Sequence, residues 1–143
     1  MPNYKVHDFS IILTLPLLAI PTWNYVDPVY ATVITIAYIF GGYMLSPDLD
    51  IQSRIYKRWH MIRWIWKPYQ IFVPHRSFLS HSGPVSATIR LLYLLFWLLP
   101  AIVPLFWLQI VSIPIYTLSL LLVCIWFGVV MSDIVHVLLD ILF

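Results

Sequence analysis

Apolar residues gather in four long stretches, 9–26, 29–45, 85–108 and 113–139, and polar residues gather mainly in one, 46–84. A helix needs about 20 apolar residues to cross a bilayer, with a range of about 17–25. The third and fourth stretches are long enough. The second is long enough if its helix continues through Gly41-Gly42. The first contains Pro16 and Pro21, which a membrane helix tolerates, and it reads as a kinked span or a re-entrant segment, with the span preferred. The pattern predicts an all-α membrane protein of about four transmembrane helices, forming a single domain over residues 1–143 without internal repeats. Pro28 and Pro84 suit the first turns of the second and third helices, and Ser82 is placed to cap the third.

The polar stretch holds Arg54, Lys57, Arg58, Arg63, Lys67 and Arg76, six of the eight Lys and Arg. The positive-inside rule places it in the cytoplasm. Four spans then put both termini on the cytoplasmic side, with Lys5 and Arg90 near the same face. Tyr56, Trp59, Trp64, Trp66 and Tyr69 interleave with the basic residues, a mixture that favours headgroups and anionic lipid. An interfacial amphipathic helix is predicted over residues 51–66, with membrane lipid as its partner.

Composition sharpens this picture. Hydrophobic residues are 62% of the chain and charged residues 10%, against roughly 45–50% and about 25% in soluble domains. Mean hydropathy is +0.89. A soluble fold of this size and a disordered chain are both excluded. The net charge of +2 gives no reason to expect a nucleic-acid partner. The lone Cys124 rules out an internal disulfide framework and a multi-cysteine metal site. No signal-peptide cleavage pattern follows the first apolar run.

The ionisable residues are unusual for so apolar a chain. All six acids are Asp, and five His accompany them. Under the four-span topology, His7, Asp8, Asp48, Asp50, His75, His81, Asp133, His136 and Asp140 collect at one depth from four separate segments, leaving Asp27 on the other side. Asp133, His136 and Asp140 fall at i, i+3 and i+7, on one helix face, and ionisable groups at membrane depth normally face the bundle interior. Imidazole and carboxylate suit a divalent metal, zinc first, with manganese or iron as alternatives. There are enough donors for one ion or for two sharing a carboxylate, and a two-ion site can activate water against an ester or phosphoester. The expected ligands are His7, Asp48, His75, His81, Asp133 and His136. Asp50, bridging or backing them, and Arg76, facing a developing anion with Ser77, Ser80 and Ser82, are the candidate catalytic residues.

Structural roles compete for several of these. Asp50 could cap the interfacial helix, Asp140 could pair with Arg90, Asp8 could cap the first helix and His136 could merely orient a ligand. His60 reads as a surface residue and Asp27 as a cap before Pro28. The expected function is hydrolysis of a lipid-linked or membrane-partitioning ester or phosphoester. Its rivals are non-enzymatic metal binding, proton- or ion-coupled transport and a lipid-surface adaptor.

A resemblance rests on these same residues. His7-Asp8, Ser46-Pro47-Asp48-Leu49-Asp50, Ser53-Arg54, Tyr56-Lys57-Arg58-Trp59, Arg63-Trp64-Ile65-Trp66, Pro68-Tyr69, Pro74-His75-Arg76-Ser77 and Ser80-His81 resemble a family of small bacterial membrane proteins, frequent in cyanobacteria, described as metal-binding and of unknown function. The second half matches in apolar character and in the Asp133/His136 pair. More distantly, Pro-Asp-x-Asp followed by His-Arg-x-x-x-Ser-His is similar to membrane-bound metal-dependent hydrolases. Their pattern reads His-Arg-x-x-Thr-His; here one residue is inserted and Ser80 replaces Thr. The resemblance implies metal binding, a bacterial inner or thylakoid-type membrane and, from the distant match, hydrolysis. With no Glu in the chain, the general base would be a metal-bound hydroxide or an Asp.

Overall fold

The structure is a computed structural model and describes residues 4–142. Four long helices, α1 (Tyr4–Tyr25), α2 (Pro28–Met44), α6 (Pro84–Trp107) and α7 (Ile115–Leu142), carry a cap made from the segment between α2 and α6. The cap contains short helices α3 (Arg54–Arg58), α4 (Trp66–Phe72) and α5 (Phe78–His81), with 3₁₀ turns at Pro47–Asp50 and His60–Ile65. Among the described residues there is no strand.

Helices α1, α6 and α7 are long and apolar enough to cross a membrane. The predicted fourth span, α2, is shorter. It does pass through Gly41-Gly42, but it ends at Met44, where Leu45 leaves helical geometry and Ser46-Pro47 opens a 3₁₀ turn. Its 17 residues rise only about 26 Å, short of a hydrocarbon core of about 30 Å. Helix α2 packs between α1 and α7. Glycines set the α2–α7 distance: a Cβ on Gly128 would lie 2.6 Å from the Ile34 carbonyl oxygen, and one on Gly41 would lie 2.4 Å from Ser132 Oγ. Asp27 caps α2 as predicted, accepting the Val29 N–H at 2.9 Å. The cap of α6 falls one residue later than predicted. Gly83, not Ser82, occupies it with φ 65°, a left-handed conformation that suits glycine.

The predicted continuous helix over residues 51–66 does not form. His60 adopts φ 44°, and the segment breaks into α3, a 3₁₀ turn and α4. Tyr56, Trp59, Trp66 and Tyr69 turn inward and build the main core with Leu45, Leu49, Ala87 and Val129. Aromatic side chains of 150–250 Å² gain more from burial when α6 supplies partners, and it does. Trp66, fully buried, has its ring centroid 5.4 Å from that of Tyr93, and the Tyr93 hydroxyl donates to the Ile65 carbonyl. Trp59 Nε1 donates to the Met44 carbonyl at 2.9 Å, fixing the cap to the end of α2. Only the outer face of the cap keeps the expected interfacial character, with Trp64, Arg54, Lys57, Arg63 and Lys67 exposed. Away from the cap, α6 stands off from α2 and α7 and leaves an apolar groove of about 650 Å³.

Candidate metal centre

Five donor residues from four elements meet beneath the cap. Helix α7 supplies His136 and Asp140 at i and i+4, α1 supplies His7, the turn after α2 supplies Asp48, and α5 supplies His81. His136 Nε2 lies 3.5 Å from Asp140 Oδ2 and 3.7 Å from Asp48 Oδ1. His7 Nε2 lies 3.5 Å from Asp140 Oδ1, and His81 Nε2 lies 3.9 Å from Asp140 Oδ2. These donors form two overlapping groups with ligand-grade spacing, His7/His136/Asp140 and Asp48/His81/His136.

The donors are held but not satisfied. His136 Nδ1 is 3.1 Å from Ser46 Oγ, and His81 Nδ1 is 2.8 Å from Ser80 Oγ. In both rings Nδ1 is engaged outward, so Nε2 faces the centre. Holding one ring nitrogen in this way orients the ring and aims the other nitrogen, the arrangement proteins use behind metal ligands. Asp48 Oδ1, His81 Nε2, His136 Nε2 and both oxygens of Asp140 are buried without a hydrogen-bond partner. Buried polar atoms are rarely left unpaired, and five in one cluster call for a cation. Ligands about 2.0–2.1 Å from a tetrahedral zinc stand about 3.3 Å apart, a few tenths less than the four gaps above. The residues therefore fit a divalent ion.

Two donors outside the long helices have shifts with clear physical causes. Burial opposes charge on Asp48, but the neighbouring His136 outweighs it and holds the carboxyl below its ordinary value. Burial pushes His81 below the usual imidazole value, against the pull of Asp50. A carboxylate and a neutral imidazole are the protonation states a metal requires.

His7, Asp48, His81 and His136 come together among the residues predicted as ligands. Asp133 does not join them, and Asp140 takes the place expected for it. Asp133 instead pairs with Arg90 and accepts from Ser86 Oγ at 3.2 Å, with both charged side chains wholly buried. The two aspartates share a helix face but stand two turns apart, about 10 Å along the axis, so one reaches α6 and the other reaches the histidines. Arg90 Nη1 also donates to the Ser80 carbonyl at 3.3 Å, tying α5, the helix that carries His81, to the α6–α7 pair.

His75, also predicted as a ligand, is in neither group; its Nδ1 lies 2.9 Å from Asp50 Oδ1. Asp50 is buried behind His81, with Oδ2 3.8 Å from His81 Nδ1. It accepts the backbone N–H of Arg76 at 3.3 Å. Arg76, at φ 57°, thus meets Asp50 through its main chain while its side chain is exposed. Asp8 pairs with Arg58 rather than capping α1, and His60 is exposed as predicted. Sequence reasoning missed Ser46, whose bond to His136 spans 90 positions and leaves no local pattern.

Comparison with known proteins points to metal binding. Residues 2–143 match the model of a family described as uncharacterized metal-binding protein (DUF2227). An uncharacterized protein of Aquifex aeolicus (strain VF5) is 35% identical over 60 residues, covering 41% of this chain and 42% of its own length. The chain thus matches under half the length of that curated relative. No solved structure matches. With nearly its whole length matched and the donors of an ion assembled from four separate elements, the chain belongs to this family of metal-binding proteins.

Proposed function

We propose that the protein is a membrane-embedded, metal-dependent hydrolase of a lipid-linked or membrane-partitioning ester or phosphoester. The observation that carries this reading is the cluster of unpartnered donor atoms on side chains that are not all closed off from solvent. The Asp48 side chain keeps 21% of its exposure and that of His81 13%. A structural zinc site is closed by its protein ligands, whereas a hydrolytic site keeps a position for water. A bound ion would supply Lewis acidity and an activated water. Zinc suits the donors first, with manganese or iron as alternatives. The six basic residues of the cap support a cytoplasmic placement of the centre, and the position of the cluster at the end of the apolar helices supports a lipid-borne substrate. The exposed side chain of Arg76 is free to meet an anionic group.

One observation favours a second reading. An ion here would cross-link α1, α5, α7 and the turn after α2, so it could serve as a brace without chemistry. The deciding experiment is elemental analysis of detergent-purified protein, wild type beside His81→Ala and Asp48→Ala, followed by assays on phosphomonoesters, phosphodiesters and lipid esters. Hydrolysis reads out as turnover that needs the metal and vanishes in both variants. Bound metal with no turnover, and a large loss of thermal stability on chelation, reads out as the brace. A folded wild type that takes up no metal after reloading sinks both.

A further inference from the structure

The five donors do not point at one spot. The rings of His7 and His136 stack with centroids 4.2 Å apart and planes only 24° from parallel. An imidazole lone pair lies in its ring plane, so a ligated ion lies close to that plane. Two planes so nearly parallel do not meet within bonding reach of either nitrogen. His7 and His136 therefore cannot both ligate one ion as they stand. His81 and His136 differ: their planes are 57° apart with centroids at 6.1 Å, and they converge.

Asp140 resolves the division. Its Oδ1 faces His7 at 3.5 Å, while its Oδ2 faces His136 at 3.5 Å and His81 at 3.9 Å. Neither oxygen has another partner. A nitrogen offers one lone pair, but a carboxylate can serve two ions, one through each oxygen. We propose that the centre takes two divalent ions of unequal affinity. Asp48, His81, His136 and Asp140 Oδ2 hold the first, and His7 with Asp140 Oδ1 holds the second. Four protein donors make the first site nearly complete. Two leave the second mostly open, with its remaining positions for water or substrate oxygen. This inference rests on the metal-binding reading above and assigns to His7 the exchangeable ion.

The test is a metal titration of chelator-stripped protein in detergent, using Mn²⁺ and Co²⁺, with circular dichroism to confirm the fold of each variant. Wild type is expected to take up two equivalents in two steps, and the Mn²⁺-loaded protein to show an exchange-coupled electron paramagnetic resonance signal. His7→Ala should keep the tighter equivalent, lose the weaker one and lose the coupling. Asp140→Asn should weaken both steps. Saturation of wild type at one equivalent, with His7→Ala weakening that same ion, would overturn the two-ion assignment and leave metal binding intact. No uptake at all by folded wild type would overturn the metal reading itself.

Discussion

Helix α7 carries two buried polar clusters on adjoining turns, and they solve opposite problems. Deeper in the bundle, Asp133 meets Arg90, one negative charge against one positive, with Ser86 and the Ser80 carbonyl filling in around them. Nearer the cap, His136 and Asp140 meet His7, Asp48 and His81, carboxylates against imidazoles. The first cluster brings its own counter-charge. The second is a surplus of lone pairs. A buried ion pair does not by itself raise stability over an apolar core, but halving one leaves an uncompensated charge. A surplus of lone pairs is an unmet demand for a cation. Charge balance, more than polarity or depth, separates a girder from a binding site on the same helix.

The sharpest way to break this contrast is His136→Ala. It is expected to abolish metal binding by elemental analysis while leaving the metal-free thermal midpoint near wild type, and metal retained at wild-type level would erase the distinction. Arg90→Met is next and acts on stability. Stranding Asp133 is expected to cost about 3–5 kcal/mol, and Arg90→Met with Asp133→Leu to recover most of it, as read from unfolding in detergent. Chelation should leave the Arg90–Asp133 pair untouched, yet lower wild-type stability by about 2.7 kcal/mol relative to protein held at a hundredfold excess of metal over its dissociation constant. The same chelation should have no effect in His136→Ala. Ser46→Ala should weaken metal binding about 10–100-fold by freeing the His136 ring, measured by competition with a metallochromic chelator. Smallest of all, His60→Ala on the exposed cap should change stability by less than about 0.5 kcal/mol and leave metal content unchanged.

Much of this was legible in the sequence, and what was not has physical reasons. Unbroken apolar runs announce membrane helices without any partner, so α6 and α7 could be read directly, while α1, with Pro16 and Pro21 inside it, stood between a span and a re-entrant segment. The end of α2 at Met44, before Ser46-Pro47, was marked by the end of the apolar run at 45; what the run did not decide is whether so short a helix crosses. The cap was misread because Trp and Tyr among Lys and Arg suit a headgroup layer and a folded core equally well. The choice depends on Tyr93, a residue 27 positions beyond Trp66 that covers it. At the centre, His7, Asp48, His81 and His136 could be gathered because topology fixes depth. Asp133 and Asp140 exchanged their expected roles because helical spacing gives a shared face and not which neighbour lies opposite. His75 faces Asp50 and Arg76 engages it through its backbone, and no spacing rule reports either.

The donors come from positions 7, 48, 81, 136 and 140, and that order has a consequence for how the protein is made. Synthesis proceeds from the N-terminus, so His7, Asp48 and His81 leave the ribosome well before the two donors of α7. Neither group of close donors exists without His136. A nascent chain halted before α7 offers the cell's metal pool three scattered side chains and no centre. The cation can be captured only once translation has passed α7 and that helix has docked against α2. Metal loading at this centre would then report that α7 is in place.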